Sequence, residues 1–246
     1  LKLNLLTFTK NPMFLYFIFP SFYLLFGTIY AIPFSTLNVI SFFLLYLFVL
    51  LNQVVETNFR NYFILKKKLS IRNVWILEVF IILSLLYFIT IHSFVSGLLL
   101  LCYVIMVQGK YLFIHYDLDL LAISLITLFK SLLLNTFGFY IHTGFISIAI
   151  IPYLLPLIIP IFLYEYYTWN KVMTNNLKYL IAFFAYLIII VLTWTIFSWW
   201  SFLLFLSTFF LPLFILNNRR RSTLYFSTIF TMNYLTLFLI FNLISL

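Results

Sequence analysis

Charge is what this sequence has least of: only 8% of its 246 residues are Asp, Glu, Lys or Arg, and just 5 are acidic. Set against a hydrophobic share of 65% and a mean hydropathy of +1.17, that scarcity excludes a soluble globular domain, whose interior cannot hide so much apolar side chain. The single cysteine, Cys102, sits in an apolar run, which excludes an internal disulfide or a thiolate metal site. Glycine numbers 5 and alanine is scarce, so close helix contact through small-residue seams is mostly unavailable, and helices are expected to pack through bulky side chains or lipid. No phosphate loop, zinc spacing, nucleophile elbow or paired-carboxylate signature is present, which leaves little for an autonomous enzyme to work with.

What is present is hydrocarbon in long blocks. Residues 11–55, 79–109, 131–164, 179–218 and 222–246 each run without a charged residue. A helix crosses a bilayer in about 20 apolar residues, so several of these blocks can cross once or twice. The expectation is an all-α polytopic membrane protein, a single transmembrane domain over 1–246 with about seven helices at 13–31, 36–57, 73–98, 118–141, 145–167, 178–204 and 224–246. Ser96 to Val107 is either an extension of the third helix or a short membrane-dipping segment, and 179–216, too long for one upright helix, decides the count. A second apolar segment near the interface is expected to follow the sixth helix. Residues 13–31 are long and lack a small-residue cleavage pattern, so no cleavable signal peptide is expected.

The formal charge of +9 lies between the apolar blocks, where it orients helices and meets anionic headgroups; it does not indicate nucleic acid as a partner. With seven helices, Lys2, Lys10, the 60–72 loop and Arg219 to Arg221 share one side, and Lys110, Asp117, Asp119, Lys171 and Lys178 the other. The more basic side faces inward, which predicts the N-terminus inside and the C-terminus outside. The abundance of Phe (33) and Tyr (18) points to an AT-rich, organelle-encoded gene.

Ionisable groups inside apolar blocks are costly, about 2.5–3.5 kcal/mol on insertion scales, and are functional by default. Glu78 stands out, about one and a half turns into the third helix, with Lys130 at similar depth in the fourth. Two readings stay open: that Glu78 and Lys130 approach each other, directly or through water or a headgroup, or that Lys130 snorkels while Glu78 stays protonated against lipid. Glu56 and Arg60, four apart, are expected to form a local ion pair. Glu165 lies in an aromatic belt at the outer boundary. Of the three histidines, His92 and His115 are expected toward the outer face and His142 toward the inner, with none paired for haem.

Several segments resemble cytochrome c oxidase subunit III. The stretch ILEVFIILSLLYFITIHSF (76–94) resembles that family's third helix, with Glu78 in its Glu-Val and His92–Ser93 in its His-Ser. VVETNF (54–59) resembles the segment closing its second helix, Lys68, Leu69 and Arg72 fall on its Lys-Gly-Leu-Arg, and LYEYYTWN (163–170) resembles its Ser-Glu-Tyr. The histidine-rich pattern of the family's sixth helix has no match in AFFAYLIIIVL (182–192), nor does the seventh helix's Trp-His-Phe-Val-Asp at 227–231.

The resemblance implies a non-catalytic core subunit of complex IV in the mitochondrial inner membrane, mitochondrially encoded, supporting oxygen and proton supply in the respiratory chain. It implies contact with catalytic subunit I and other subunits, structural phospholipids, and haem and copper only in the partner subunits. The first two helices would splay from the rest around a lipid-filled cleft. Glu78 would be the buried functional carboxyl, and Glu56, Arg60, Arg72, His92 and Glu165 structural or lipid contacts.

Two rival readings stand beside it. KNPMFLYFIFPSFYLLFG (10–27) resembles the entry of an ABC-2 type transporter permease, with 56–72 as its coupling segment. That family has six helices and both termini in the cytoplasm. The third reading is a lineage-specific accessory subunit of another respiratory complex.

Overall fold

A computed structural model describes residues 12–63, 66–168, 174–195 and 220–245. Among these residues the chain is helical and contains no strand. Eight principal helices are present among them: α1 (Pro12–Ala31), α2 (Val39–Phe63), α3 (Ile71–Ile91), α4 (Phe94–Gly109), α5 (Asp119–Thr143), α6 (Ile148–Tyr166, its last turn running on to Thr168), α7 (Asn175–Thr195) and α8 (Arg220–Ser245). Five of them, α2, α3, α5, α6 and α7, are long and apolar enough to cross a membrane. The part of the expected sixth helix beyond Thr195, the interfacial segment after it and Arg219 lie outside the described residues.

The helix expected over 73–98 is broken. α3 stops at Ile91, and α4 restarts at Phe94 behind Ser93, whose hydroxyl accepts the Ser96 N–H at 3.1 Å as an N-cap. The two helices fold back on each other so tightly that a Cβ on Gly97 would stand 2.1 Å from the Ile89 side chain. The membrane-dipping alternative for Ser96 to Val107 is thus replaced by a helical hairpin. Downstream, the expected stop at His142–Thr143–Gly144 is present: Gly144 takes φ +75° and donates its N–H to the Tyr140 carbonyl at 2.8 Å, ending α5 as a left-handed cap.

Side-chain contacts mark the two ends of the bundle. At one, the histidine end, Tyr140 reaches Ser93, the Asn38 N–H reaches His142, and Tyr30 meets Tyr153. At the other, the lysine end, Phe63 stacks on Tyr111 and Phe19 on Tyr164. α1 starts at the lysine end, and each helix from α2 to α6 runs opposite to its predecessor. α7 begins a few residues after α6 and packs along Ile151–Leu157, so it too runs back toward the histidine end. α8 closes at that end, with Phe238 and Phe241 against Tyr153.

α1 lies inside the bundle and makes its most extensive contact with α5. Gly27 and Gly138 permit this: a Cβ on Gly27 would fall 1.7 Å from the Asn135 carbonyl oxygen, and one on Gly138 would fall 2.8 Å from that of Leu24. A small-residue seam therefore does exist, built from two of the few glycines, and around it the core is aromatic (Phe19, Phe26, Phe48, Phe88, Phe139, Tyr234 and Phe238 are buried). The splaying of the first two helices that the subunit III resemblance implies is not what this packing gives.

Candidate functional site

Four charged residues from four elements meet inside the bundle. Glu56 comes from α2, seven residues, or about 10 Å, short of its end. Lys110 opens the 3-10 turn after α4, Lys130 lies midway along α5, and Glu165 lies in the last turns of α6. Lys130 Nζ donates to Glu165 Oε1 at 2.6 Å and to Glu56 Oε2 at 3.0 Å. Lys110 Nζ donates to Glu165 Oε2 at 3.3 Å and to Glu56 Oε1. Each ammonium bridges both carboxylates, and each carboxylate gives one oxygen to each ammonium. Among the described residues the result is a closed ring of zero net charge.

Burial makes this ring consequential. Side-chain exposure is 1% for Lys110, 3% for Lys130, 11% for Glu56 and 1% for Glu165. A lone ion here would carry several kcal/mol of desolvation cost, which mutual pairing offsets only when the geometry is good and the remaining valences are met. Aromatic rings supply part of that shell. Lys130 Nζ lies 5.6 Å from the Tyr23 ring centroid and Lys110 Nζ 5.4 Å from that of Tyr111, within cation–π range. The Tyr111 hydroxyl donates to the Glu56 carbonyl at 3.2 Å. Burial first, and then the Glu56 and Glu165 carboxylates, push the Tyr111 phenol above its ordinary range, so it stays a donor.

Local backbone chemistry aims Lys130. Phe129–Leu133 is a single π-helical turn inside α5, an insertion that rotates the C-terminal half of the helix relative to a regular one. Its neighbourhood is rich in side chains that hydrogen-bond backward: Thr127 to Ile123 at 2.7 Å, Ser131 to Thr127 at 2.7 Å and Asn135 to Ser131 at 2.9 Å. Asn135 also bonds α1, donating to the Phe22 carbonyl at 3.3 Å and accepting from the Gly27 N–H at 3.3 Å. The turn that sets Lys130 is thereby tied to the helix that brings Tyr23.

This arrangement corrects several expectations. Lys130 does not pair with Glu78; its ammonium is shared by Glu56 and Glu165. Glu78 is half-buried on α3 and belongs to no ion pair among the described residues, while the nearby Gln108 amide donates to Asn52 at 3.5 Å. Glu56 does not form the local pair with Arg60, because its carboxylate is turned inward to two lysines; Arg60 takes no part in the ion pairs among the described residues. Glu165 is not a boundary residue but a buried partner of both lysines, and Lys110 is a member of the centre instead of a loop marker. Arg72 is exposed in the first turn of α3.

The histidines also fall differently. The seven-helix pattern predicts His92 and His142 on opposite faces, yet both lie at the histidine end. His92 Nε2 meets Ser41 Oγ at 3.2 Å, Ser41 Oγ meets the Tyr87 hydroxyl at 3.1 Å, and His142 Nδ1 accepts the Asn38 N–H at 2.9 Å. His92, in the turn between α3 and α4, has its imidazole pushed below the ordinary range by burial. The side chain of His115 lies outside the described residues.

One step in the sequence reading produced most of these differences. Taking 73–98 as one helix reverses every later element, which puts Lys110 on the far side from Glu56 and separates His92 from His142. A signal was available: His92–Ser93–x–x–Ser96 carries a capping serine in the middle of the apolar block. Among the described residues no cluster of His, Cys, Asp and Glu has the makings of a metal site. No protein-family model, curated protein or solved structure matches the chain.

Proposed function

We propose that this chain is a non-catalytic, multi-pass membrane protein, a structural subunit of a larger membrane assembly, in which the Glu56–Lys110–Lys130–Glu165 ring locks the helices in register. The ring itself carries the proposal. Among the described residues both cations are matched by both anions, an arrangement suited to holding helices together more than to activating a substrate. What such a centre does well is specify: shifting any one of its four elements by a turn, about 5.4 Å, leaves an ion unpaired in a low-dielectric interior.

The orientation rests on where the basic segments fall. Lys66 to Lys68, Arg72, Lys178, Arg220 and Arg221 all sit at or next to helix ends at the lysine end, while the described turns at the histidine end carry no Lys or Arg. Positive charge so one-sided supports the lysine end as the inner face, with the N-terminus inside and the C-terminus outside.

The narrower form of the proposal is subunit III of a mitochondrial cytochrome c oxidase. The 76–94 resemblance supports it; the central packing of α1 and the position of Glu78 outside the charged ring weigh against it. Opposite termini likewise weigh against the ABC-2 permease. An accessory subunit of another respiratory complex satisfies the same ring and orientation.

Two measurements test this. A reduced-minus-oxidised spectrum of the native assembly, gently solubilised and purified through this chain, would carry stoichiometric a-type haem if the oxidase form is right. A co-purifying ATPase would favour the permease. Replacing the whole ring (Glu56→Gln, Lys110→Met, Lys130→Met, Glu165→Gln) should leave a folded chain that still enters its assembly and supports its activity. A variant that folds and assembles yet abolishes that activity would mark the ring as a working site and overturn the non-catalytic reading.

A further inference from the structure

Where α2 hands over to α3, the lysine end carries a groove that the charged ring does not use. Phe59, Leu69, Ile71, Val74 and Trp75 line it, with Glu78 at its deep end. Its walls are almost wholly apolar, and Trp75 stands 68% exposed beside it. Apolar exposure alone is ordinary for a helix facing hydrocarbon. What distinguishes this place is the crown above it.

Lys66, Lys67 and Lys68 are consecutive and exposed, and Arg72 sits in the first turn of α3 just beyond them. Their turn is not a loose connection: Lys66 adopts φ 51°, and the Lys67 N–H donates to the Asn61 carbonyl at 3.0 Å, which folds the basic run back over the end of α2. Arg60, half-exposed on α2, adds a further cation at the same end. Glu78 is the one acidic residue among those lining the groove, and it lies about two turns below the crown.

We propose that this groove is a binding site for an anionic glycerophospholipid of the inner leaflet, with the phosphate held by Lys66 to Lys68 and Arg72 and one acyl chain laid along Phe59, Val74 and Trp75. The choice of occupant rests on charge complementarity joined to depth. Cations sit at headgroup level, an aromatic marks the interface, and apolar walls continue below. A zwitterionic lipid would fill the groove equally well but would leave the crown's charge unmatched. A juxtamembrane cation contributes about 1 kcal/mol toward anionic lipid, so three lysines favour it on the order of a hundredfold.

The test uses the full-length chain in nanodiscs and by native mass spectrometry. The chain is expected to retain one phosphatidylglycerol in preference to phosphatidylcholine. Phosphatidylglycerol brominated on its acyl chains should quench a tryptophan signal that Trp75→Phe removes. Lys66→Gln/Lys67→Gln/Lys68→Gln should cut phosphatidylglycerol retention by about a hundredfold and leave phosphatidylcholine unchanged. Val74→Phe, which fills the groove without altering charge, should abolish both retention and quenching. Equal retention of the two lipids, quenching that survives Val74→Phe, or a second copy of the chain in place of lipid would overturn the proposal.

Discussion

The two ends of this bundle handle buried polarity in opposite ways. Near the lysine end, four full charges are withdrawn from solvent and cancel one another through direct ion pairs. At the histidine end, neutral donors and acceptors form two looser, part-buried groups, Tyr87–Ser41–His92 and Ser93–Tyr140, with contacts of 3.1–3.3 Å. The first arrangement is all-or-none: removing one member leaves an uncompensated ion. The second is gradual, because each hydroxyl near the surface can turn to water when a partner goes. One end therefore sets register, and the other adjusts to it.

The sharpest way to break this contrast is at the ring. Glu165→Gln should destabilise the chain by about 3–5 kcal/mol, and adding Lys130→Met should restore much of that loss, since the double change leaves one complete pair, Lys110 with Glu56. Thermal unfolding in detergent of both singles and the double closes the cycle; additive losses would refute the coupling. Next in size is the seam that carries Tyr23 to Lys130. Gly27→Ala places a methyl against backbone at 1.7 Å and should cost about 1–3 kcal/mol, read in the same assay.

At the histidine end the effects should be smaller. Ser93→Ala removes the cap that restarts the chain as α4 and should cost about 1 kcal/mol, with Ser93→Asp retaining most of it. The end should also respond to acid. Because burial holds the folded His92 below its ordinary value, the unfolded chain binds a proton first. The stability that neutral His92 contributes is complete above about pH 6.5 and is lost as pH falls toward the folded value. Unfolding temperatures at pH 7.5 and 5.5 should differ for the native chain, and the difference should shrink for His92→Gln. Smallest of all, Glu78→Gln should change stability by less than about 1 kcal/mol, because this half-exposed group is in no ion pair among the described residues and leaves no ion behind. A loss as large as that of Glu165→Gln would place Glu78 back among the essential carboxyls.

The membrane character of the chain was legible at once, because a charge-free apolar block of 20 residues has few other stable fates. The ends of α1, α5 and α6 were legible too, within a few residues, from Pro33 and the Gly144 turn, whereas α2 runs on to Phe63, past its expected end at 57. That Lys130 is costly inside its apolar block was legible, but whether it pairs with an anion or snorkels was not. Nor was the anion it takes. Residue count points to Glu78, whereas the pairing with Glu56 and Glu165 turns on the reversal of the chain at Ser93, on the rotation introduced by the π turn at Phe129–Leu133, and on how closely Gly27 lets α1 approach α5.

The sequence by itself determined the solvent: so many apolar residues with so few charges can be accommodated only as helices in lipid, because there every backbone polar group must be satisfied within its own segment. It also determined which residues are too expensive to leave alone. Only the tertiary structure decided the pairing. Helices of near-uniform Phe, Leu and Ile carry almost no address for one another, so partner choice among Glu56, Glu78, Lys110, Lys130 and Glu165 is settled by a few local events, one capping serine, one π turn and two glycines, whose consequences appear only when the helices are packed.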